Sequence, residues 1–447
     1  MPKVREPRRE KKPSKLGVRL NIPFLQGAYL AFNAIPDAVF LGDGPSCVFA
    51  KAEQIHGRHD LFSTLLSCDC GHRIQYTGVN VFTIAGNFEA GIMAAMKRMA
   101  ARPDCGVFFM GSMPMCSIAG TDYERLMREA LEGSSKPAFL LPRRSAVYGD
   151  WLDGYATVLE TLASDMDLSG ARPEPGKVAV VGHLMDRTEG DHRGSVRELE
   201  RMLLGVGIEP VSVWLSGRPY EHLRAARRAS SVVSLPHGRA AGRVLARRLK
   251  VPLVEADLPF GLDASAEFVT AVAGALGQAK AGRVFAEAEL RQAEKLLGQG
   301  VREAFQGRSF AFCGDPHYAW GFNRQARALG GRVKSILVIG GAHHLDDSRR
   351  RELASLPKTA FEPMTADVEA GWCREDDVDL VVSNTMALKY TLGVRGAWLE
   401  FGFQSAYTHF LKDEPFLGFR GALAFLGRCA NEVRRGRWQG LRPASDD

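Results

Sequence analysis

Three Rossmann-like α/β domains with mostly parallel sheets around a central cleft are what the sequence predicts, and three observations carry that expectation. One unit recurs along the chain: a short apolar run, a Gly, Pro or Asn break, an amphipathic helix, a glycine near the helix end, then the next run. The apolar runs are continuous rather than alternating, as strands covered on both faces require. The length of 447 residues has room for about three cores of roughly 150 residues each.

Taken in order, Met1–Lys15 reads as a disordered basic arm, and residues 16–171 as the first domain, with a strand over Val107–Met113. The Pro/Gly-rich Gly170–Gly176 (GARPEPG) places a boundary near residue 172. Residues 172–300 form the second domain, with strands at Val178–Gly182, Val211–Leu215, Val232–Leu235 and Leu253–Ala256. Ser195–Leu204 reads as a helix capped by Ser195 with Glu198 completing a capping box. Gly205 and Gly330 stand where a left-handed residue ends a helix. Glu287–Gln306 reads as one long connecting helix. Residues 301–447 form the third domain, with strands at Phe310–Cys313, Ile336–Ile339, Leu380–Ser383 and Ala397–Phe401. Ligands of open α/β sheets bind beyond the carboxyl ends of the strands. The loops expected there include GSMPMC (111–116), GHLMDRTEGD (182–191), SLPHG (234–238), CGDPHY (313–318) and GGAHH (340–344).

Composition narrows the function. With 45% hydrophobic and 24% charged residues the chain is globular, not disordered or fibrous. No apolar run approaches the roughly 18 residues of a membrane span, and the N-terminus lacks the apolar core of a secretory signal. The expectation is a soluble, cytoplasmic chain. Of the net charge of +7, five units sit in residues 1–15, where seven Lys/Arg meet Glu6 and Glu10. A local arm without interleaved aromatics argues against a nucleic-acid surface. Gly182 and Gly340-Gly341 complete neither GxGxxG nor a P-loop, so no nucleotide site is expected on this chain.

Eight cysteines are too sparse for a disulfide scaffold, yet five of them (Cys47, Cys68, Cys70, Cys105 and Cys116) fall within one stretch of the first domain. In a reducing compartment such clustering points to metal or iron–sulfur ligation.

The C-terminal Gly402-Phe403, Pro415 and Leu417-Gly418-Phe419-Arg420-Gly421 resemble a G-F…P-x-L-G-[YF]-[RQ]-G pattern of the nitrogenase component 1 family, in its β-type form. Gly314-Asp315-Pro316, Ser383-Asn384, the segment Gly44-Pro45-Ser46-Cys47 and Phe108–Asp122 resemble further motifs of that family, so the likeness runs from about residue 23 to 433. The resemblance implies an oxidoreductase component. It implies an iron–sulfur cluster, 4Fe-4S or P-cluster-like, shared with a homologous α-type subunit in an αβ or α2β2 assembly. It further implies an ATP-dependent iron protein as electron donor and a small-molecule substrate.

Against the family pattern, Cys47 falls on one of three cysteine positions, the first is replaced near Ile22-Pro23, and the third is Met113. A rearranged ligand set of Cys47, Cys116 and one or both of Cys68 and Cys70 is therefore expected, with Cys105, Cys313, Cys373 and Cys429 packing as small apolar residues. The α-type cofactor cysteine falls near Ser234, where no thiol stands, which accords with a β-type chain. His237, and Asp315 with His317 as an acid–base pair, are the other candidates for catalysis; Asp315 also reads as a helix cap. His343 and His344, after Gly340-Gly341 at a strand end, suggest a metal or anion site, but adjacent histidines in extended chain point apart, so solvent exposure is the expectation. Two alternatives stand beside the reductase reading: a non-catalytic β subunit or metallocofactor-assembly scaffold, and a Rossmann-like small-molecule-binding protein without a cluster.

Overall fold

The computed structural model describes residues 21–66, 71–84, 88–117, 119–142, 149–363, 378–387 and 397–441. Three parallel sheets carry the chain. The first has the order β2-β1-β3-β4, with β1 Ala38–Asp43, β2 Ile74–Tyr76, β3 Val107–Ser112 and β4 Ala138–Leu140. The second has the order β6-β5-β7-β8, with β5 Glu174–Val181, β6 Glu209–Val213, β7 Ala229–Ser234 and β8 Leu253–Glu255. The third has the order β11-β10-β9-β12-β13, with β9 Ser309–Gly314, β10 Arg332–Val338, β11 Lys358–Phe361, β12 Leu380–Ser383 and β13 Ala397–Glu400. The three-sheet α/β architecture expected from the apolar runs is thus present. Every residue of β1 and β3 is buried, which explains why these strands read as unbroken apolar runs.

Each sheet reverses its winding once: between β1 and β3, between β5 and β7, and between β9 and β12. At such a switch point the loops leaving adjacent strands part to opposite faces and leave a crevice. Those three crevices position everything that follows.

Backbone packing locks the first sheet to its neighbours. The helix Phe24–Asn33 is buried along its whole length and lies on the helix Trp151–Asp165. A Cβ at Gly27 would land on the Trp151 carbonyl, and one at Gly154 on the Phe24 carbonyl, so each helix needs its glycine. Phe32, stacked on Phe40 at 4.9 Å, ties the same helix to β1. Gly154→Val is expected to cost about 3 kcal/mol or more, because backbone cannot give way as a side chain does. Gly427, in the helix Gly418–Leu441, has open space at its Cβ position. Gly427→Ala is expected to leave stability equal or raise it by up to about 1 kcal/mol. Urea denaturation midpoints of the two variants check this contrast.

Three local expectations are corrected. The segment Glu287–Gln306 is not one helix: Ala279–Leu296 ends at Leu297-Gly298, and Gln299–Phe305 starts anew. Ser195 is not a cap, because its helix begins a turn and a half earlier, at Gly190. Its hydroxyl instead donates to the Asp191 carbonyl at 2.8 Å and accepts from the Phe416 amide at 3.2 Å. Gly330 has φ +77 as expected, but Gly205 is right-handed at φ −62. Gly205 serves packing, since a Cβ there would enter the Phe285 ring. Among the described residues no helix is long and apolar enough to cross a membrane.

Candidate functional site

The first crevice holds thiols. Because β1 and β3 pair in register to Asp43 opposite Ser112, their following loops leave side by side. The Met113 amide donates to the Asp43 carbonyl at 2.8 Å, and a Cβ at Gly44 would collide with the Met113 side chain. That close approach brings Gly44-Pro45-Ser46-Cys47 and Met113-Pro114-Met115-Cys116 together. Cys47 opens the short helix Cys47–Ala52 and is exposed; Cys116 lies in the helical turn Pro114–Ser117 and is buried. Burial, then the Asp43 carboxylate and then nearby Cys47, push the Cys116 thiol up to about 12. A thiol in that position sheds its proton when a cation replaces it. Tyr76, at the carboxyl end of β2, and Phe82 in the following helical turn are large apolar side chains left exposed on the same lobe.

Cys68 and Cys70 lie outside the described residues, as does Cys373. Cys105, Cys313 and Cys429 are buried within apolar clusters, the packing role expected of them.

The second and third crevices face each other. His183 follows β5, His237 follows β7, and Asp315 and His317 follow β9. His237 Nε2 donates to Asp315 Oδ2 at 2.8 Å, with both side chains almost fully buried. The expected Asp315–His317 pair is therefore corrected: Asp315 takes His237 as its partner across the two sheets. Its other oxygen accepts from the His317 and Tyr318 amides at 2.7 and 3.0 Å, capping the helix Pro316–Ala328. A residue that caps its own helix points back over the first turn, away from the side chain two positions on. Burial pushes the Asp315 carboxyl up, but His237, His317 and the Tyr318 amide together favour its anion more, and it is held down at about 2. His317 stacks edge-on to His237 at 4.9 Å between ring centres. Among the described residues, both nitrogens of His183, Nδ1 of His317 and the Tyr318 hydroxyl are buried without a hydrogen-bond partner.

A denser cluster, not singled out from sequence, adjoins them. Asp186 Oδ1 lies 3.0 Å from His192 Nε2 and 3.3 Å from His59 Nε2. The Ser405 amide donates to His59 Nδ1 at 2.9 Å, which leaves the proton on Nε2, facing Asp186. Asp191 accepts from Arg187 at 2.6 Å and stands 3.2 Å from His192. The first domain's His59, the second sheet's Asp186 and the third sheet's Ser405 thus meet at one point. The available signal was density: GHLMDRTEGDH puts two histidines, two aspartates, a glutamate and an arginine directly after one strand.

Residues 24–434 match the profile of the nitrogenase component 1 type oxidoreductases. The chain belongs to that family. Over 199 residues, 43% of this chain, it is 25% identical to the nitrogenase molybdenum-iron protein beta chain of Clostridium pasteurianum, and the match spans 42% of that relative. In fold it is similar to nitrogenase Cp1 solved at pH 6.5, with TM-score 0.78, 16% identity, and 98% of this chain and 97% of that one covered. The Cp1 structure at pH 5 gives TM-score 0.73 at 14% identity, covering 97% and 92%. Among the described residues of this component 1 chain, side chains nearly fill the second and third crevices beside His317 and His192. The spaces beside His317 and beside His192 measure about 10 Å³ each, room for at most about one water. Phe260, Tyr318, Phe401 and Phe416 close the remainder, Phe260 stacked on Phe401 and the other pairs edge to face.

The cluster sets a pH optimum for stability. Burial opposes the charge on His192, yet Asp186 and Asp191 hold its pKa up to about 10. A cation favoured by the fold contributes fully below its unfolded pKa of about 6.5 and fades as pH rises toward the folded value. His183 is the opposite case, pushed by burial and by His192 and His237 down to about 3. Its contribution is complete above about 6.5 and is lost as acid charges it. Urea midpoints are expected to peak between about pH 6 and 7 and to fall on both sides. A profile flat from pH 4 to 9 would contradict the assignment.

Proposed function

We propose that this chain is a β-type catalytic-component subunit that holds part of an iron–sulfur cluster where it meets a homologous α-type chain. The observation that carries the reading is the pairing of Cys47 and Cys116 at the β1/β3 switch point. One thiol is open to a partner and the other is anchored inside. Soft, anionic thiolates are the donors iron prefers in either redox state, so the donor set suits such a group. Cys47 and Cys116 would hold it, with Cys68 or Cys70 completing this chain's share. When bound, the cluster supplies a one-electron relay between an ATP-dependent iron protein and the substrate site. Cys116, buried beside Asp43, would hold the cluster from within the lobe. Cys47, on the exposed start of its helix, would ligate it from the lobe surface, and Tyr76 and Phe82 would offer apolar surface to the partner.

The packed crevices around His237, Asp315 and His317 support a β-type chain whose partner supplies the substrate site. In this reading those residues fix the domains against each other and touch no substrate. Met113 at a family cysteine position favours, as a second reading, a non-catalytic subunit or assembly scaffold.

The test is reconstitution: this chain with its α-type partner, an iron protein, ATP and reductant, each omitted in turn. Reductive turnover that requires all components supports the catalytic reading. A brown, stable complex without turnover supports the scaffold, and a colourless one removes both.

A further inference from the structure

A four-residue cluster outside the thiol and cleft sites joins the first domain to the third sheet. The helix Trp151–Asp165 begins with a capping box: Asp150 Oδ1 accepts from the Leu152 and Asp153 amides, and Asp153 Oδ2 accepts from the Asp150 amide. That leaves Asp153 Oδ1 free of the helix and directed outward. Facing it is the loop Gly340-Gly341-Ala342-His343-His344, which leaves the carboxyl end of β10. The two histidines do not point apart, as extended chain predicts. Ala342–His344 is a 3₁₀ turn, and it brings their rings to 4.0 Å between centres. Gly341 makes this possible, because a Cβ there would land on His343 Nδ1. Its amide donates to Asp150 Oδ2 at 2.6 Å, pinning the loop to the helix start.

The outcome is convergence of four side chains. His343 Nε2 stands 3.0 Å from Asp153 Oδ1. His344 Nε2 stands 2.9 Å from Asp150 Oδ2 and 3.9 Å from Asp153 Oδ1. One donor atom from each of the four lies within 4.8 Å of all the others. Zinc bonds of about 2.0–2.2 Å in a tetrahedron require donors about 3.3–3.6 Å apart, so donors now within 4.8 Å of one another must draw together by about 1 Å. Asp150 and His344 are largely buried, whereas His343 is 59% exposed, which gives an ion an approach from solvent.

We infer that Asp150, Asp153, His343 and His344 form a binding site for a borderline divalent cation, Zn²⁺ above all. Two imidazoles and two carboxylates are the donor set zinc accepts, whereas Ca²⁺ and Mg²⁺ call for oxygen alone. On binding, the ion replaces the protons now shared between each imidazole and its carboxylate. The Gly341 and Leu152 amides keep the Asp150 carboxylate oriented, and the Asp150 amide holds that of Asp153, as hydrogen-bonded outer partners do in metal sites. The ion would staple the start of the helix Trp151–Asp165 to the third sheet, independently of any iron at Cys47 and Cys116.

The test is Zn²⁺ binding to the full-length chain after chelator treatment, by calorimetry and metal analysis. His343→Ala, Asp153→Asn and His344→Ala are compared with wild type. Thiol sites are common to all four proteins and cancel in the comparison. Loss of outer partners alone weakens metal binding 10–100-fold, so loss of His343 is expected to weaken one Zn²⁺ per chain by at least about 100-fold. Zn²⁺ should raise the melting temperature of wild type but not of His343→Ala. His343 is exposed, so that variant keeps its fold even if His344→Ala does not. Equal stoichiometry, affinity and thermal shift in wild type, His343→Ala and Asp153→Asn would overturn the site.

Discussion

Cys47→Ala is expected to strip most of the iron from the anaerobically purified complex while leaving the chain folded. Cys47 is exposed at the first position of a short helix. Substitutions at such surface positions fall within about 0.5 kcal/mol of neutral. The three parallel sheets do not depend on it. A cluster that loses a thiolate loses a bond no neighbouring side chain can replace: Ser46 and Pro45 offer no soft anion. The loss of iron should be at least about tenfold, given that even outer partners cost that much. Cys116→Ser should act at the same site with an added cost, because a hydroxyl replaces a packed thiol. Iron analysis beside a far-ultraviolet spectrum separates ligand loss from unfolding. Iron equal to wild type in Cys47→Ala removes that residue from the ligand set.

Asp186→Ala is the variant expected to destabilise the chain most among the buried charges, by about 3–5 kcal/mol. Its carboxylate is almost fully buried and faces His192 and His59 together. Removal leaves the His192 cation with Asp191 alone, and that carboxylate already serves Arg187. Asp186→Asn keeps shape and a hydrogen-bond acceptor, so it should lie between the two. In both variants the decline in stability above about pH 6.5 should shrink, because part of what holds His192 charged has gone. Urea midpoints at several pH values check both points. An unchanged alkaline limb in Asp186→Ala would assign the high pKa of His192 to Asp191 instead.

Long buried strands were legible, and paired geometry was not. β9 and β12 appear as apolar runs, and β7 through Val232-Val233, because both faces are covered. β2 and β4 have three residues each, too short for any periodicity to register. Their strand character comes from pairing with β1 and β3. Cys47 could be singled out from its motif. Cys116 could be named too, but its place beside Cys47 depends on the register that sets Asp43 opposite Ser112. His237 and Asp315 could be named one at a time but not as partners, since they meet only when two sheets face each other. His59 and Ser405, 346 residues apart, were not legible at all, because only the folded chain brings them together. The histidine pair was misjudged for a local reason: the residues before it are Gly340-Gly341, and glycine allowed a fold-back that extended geometry excludes.

Iron and acid-labile sulfide per αβ pair, measured together with the visible spectrum on complex purified without oxygen, tests the central reading most directly. About four or more irons with matching sulfide and a brown chromophore that bleaches on reduction are expected. A colourless complex with iron far below one per pair, from protein that is folded and paired, would leave Cys47 and Cys116 as thiols without a redox role.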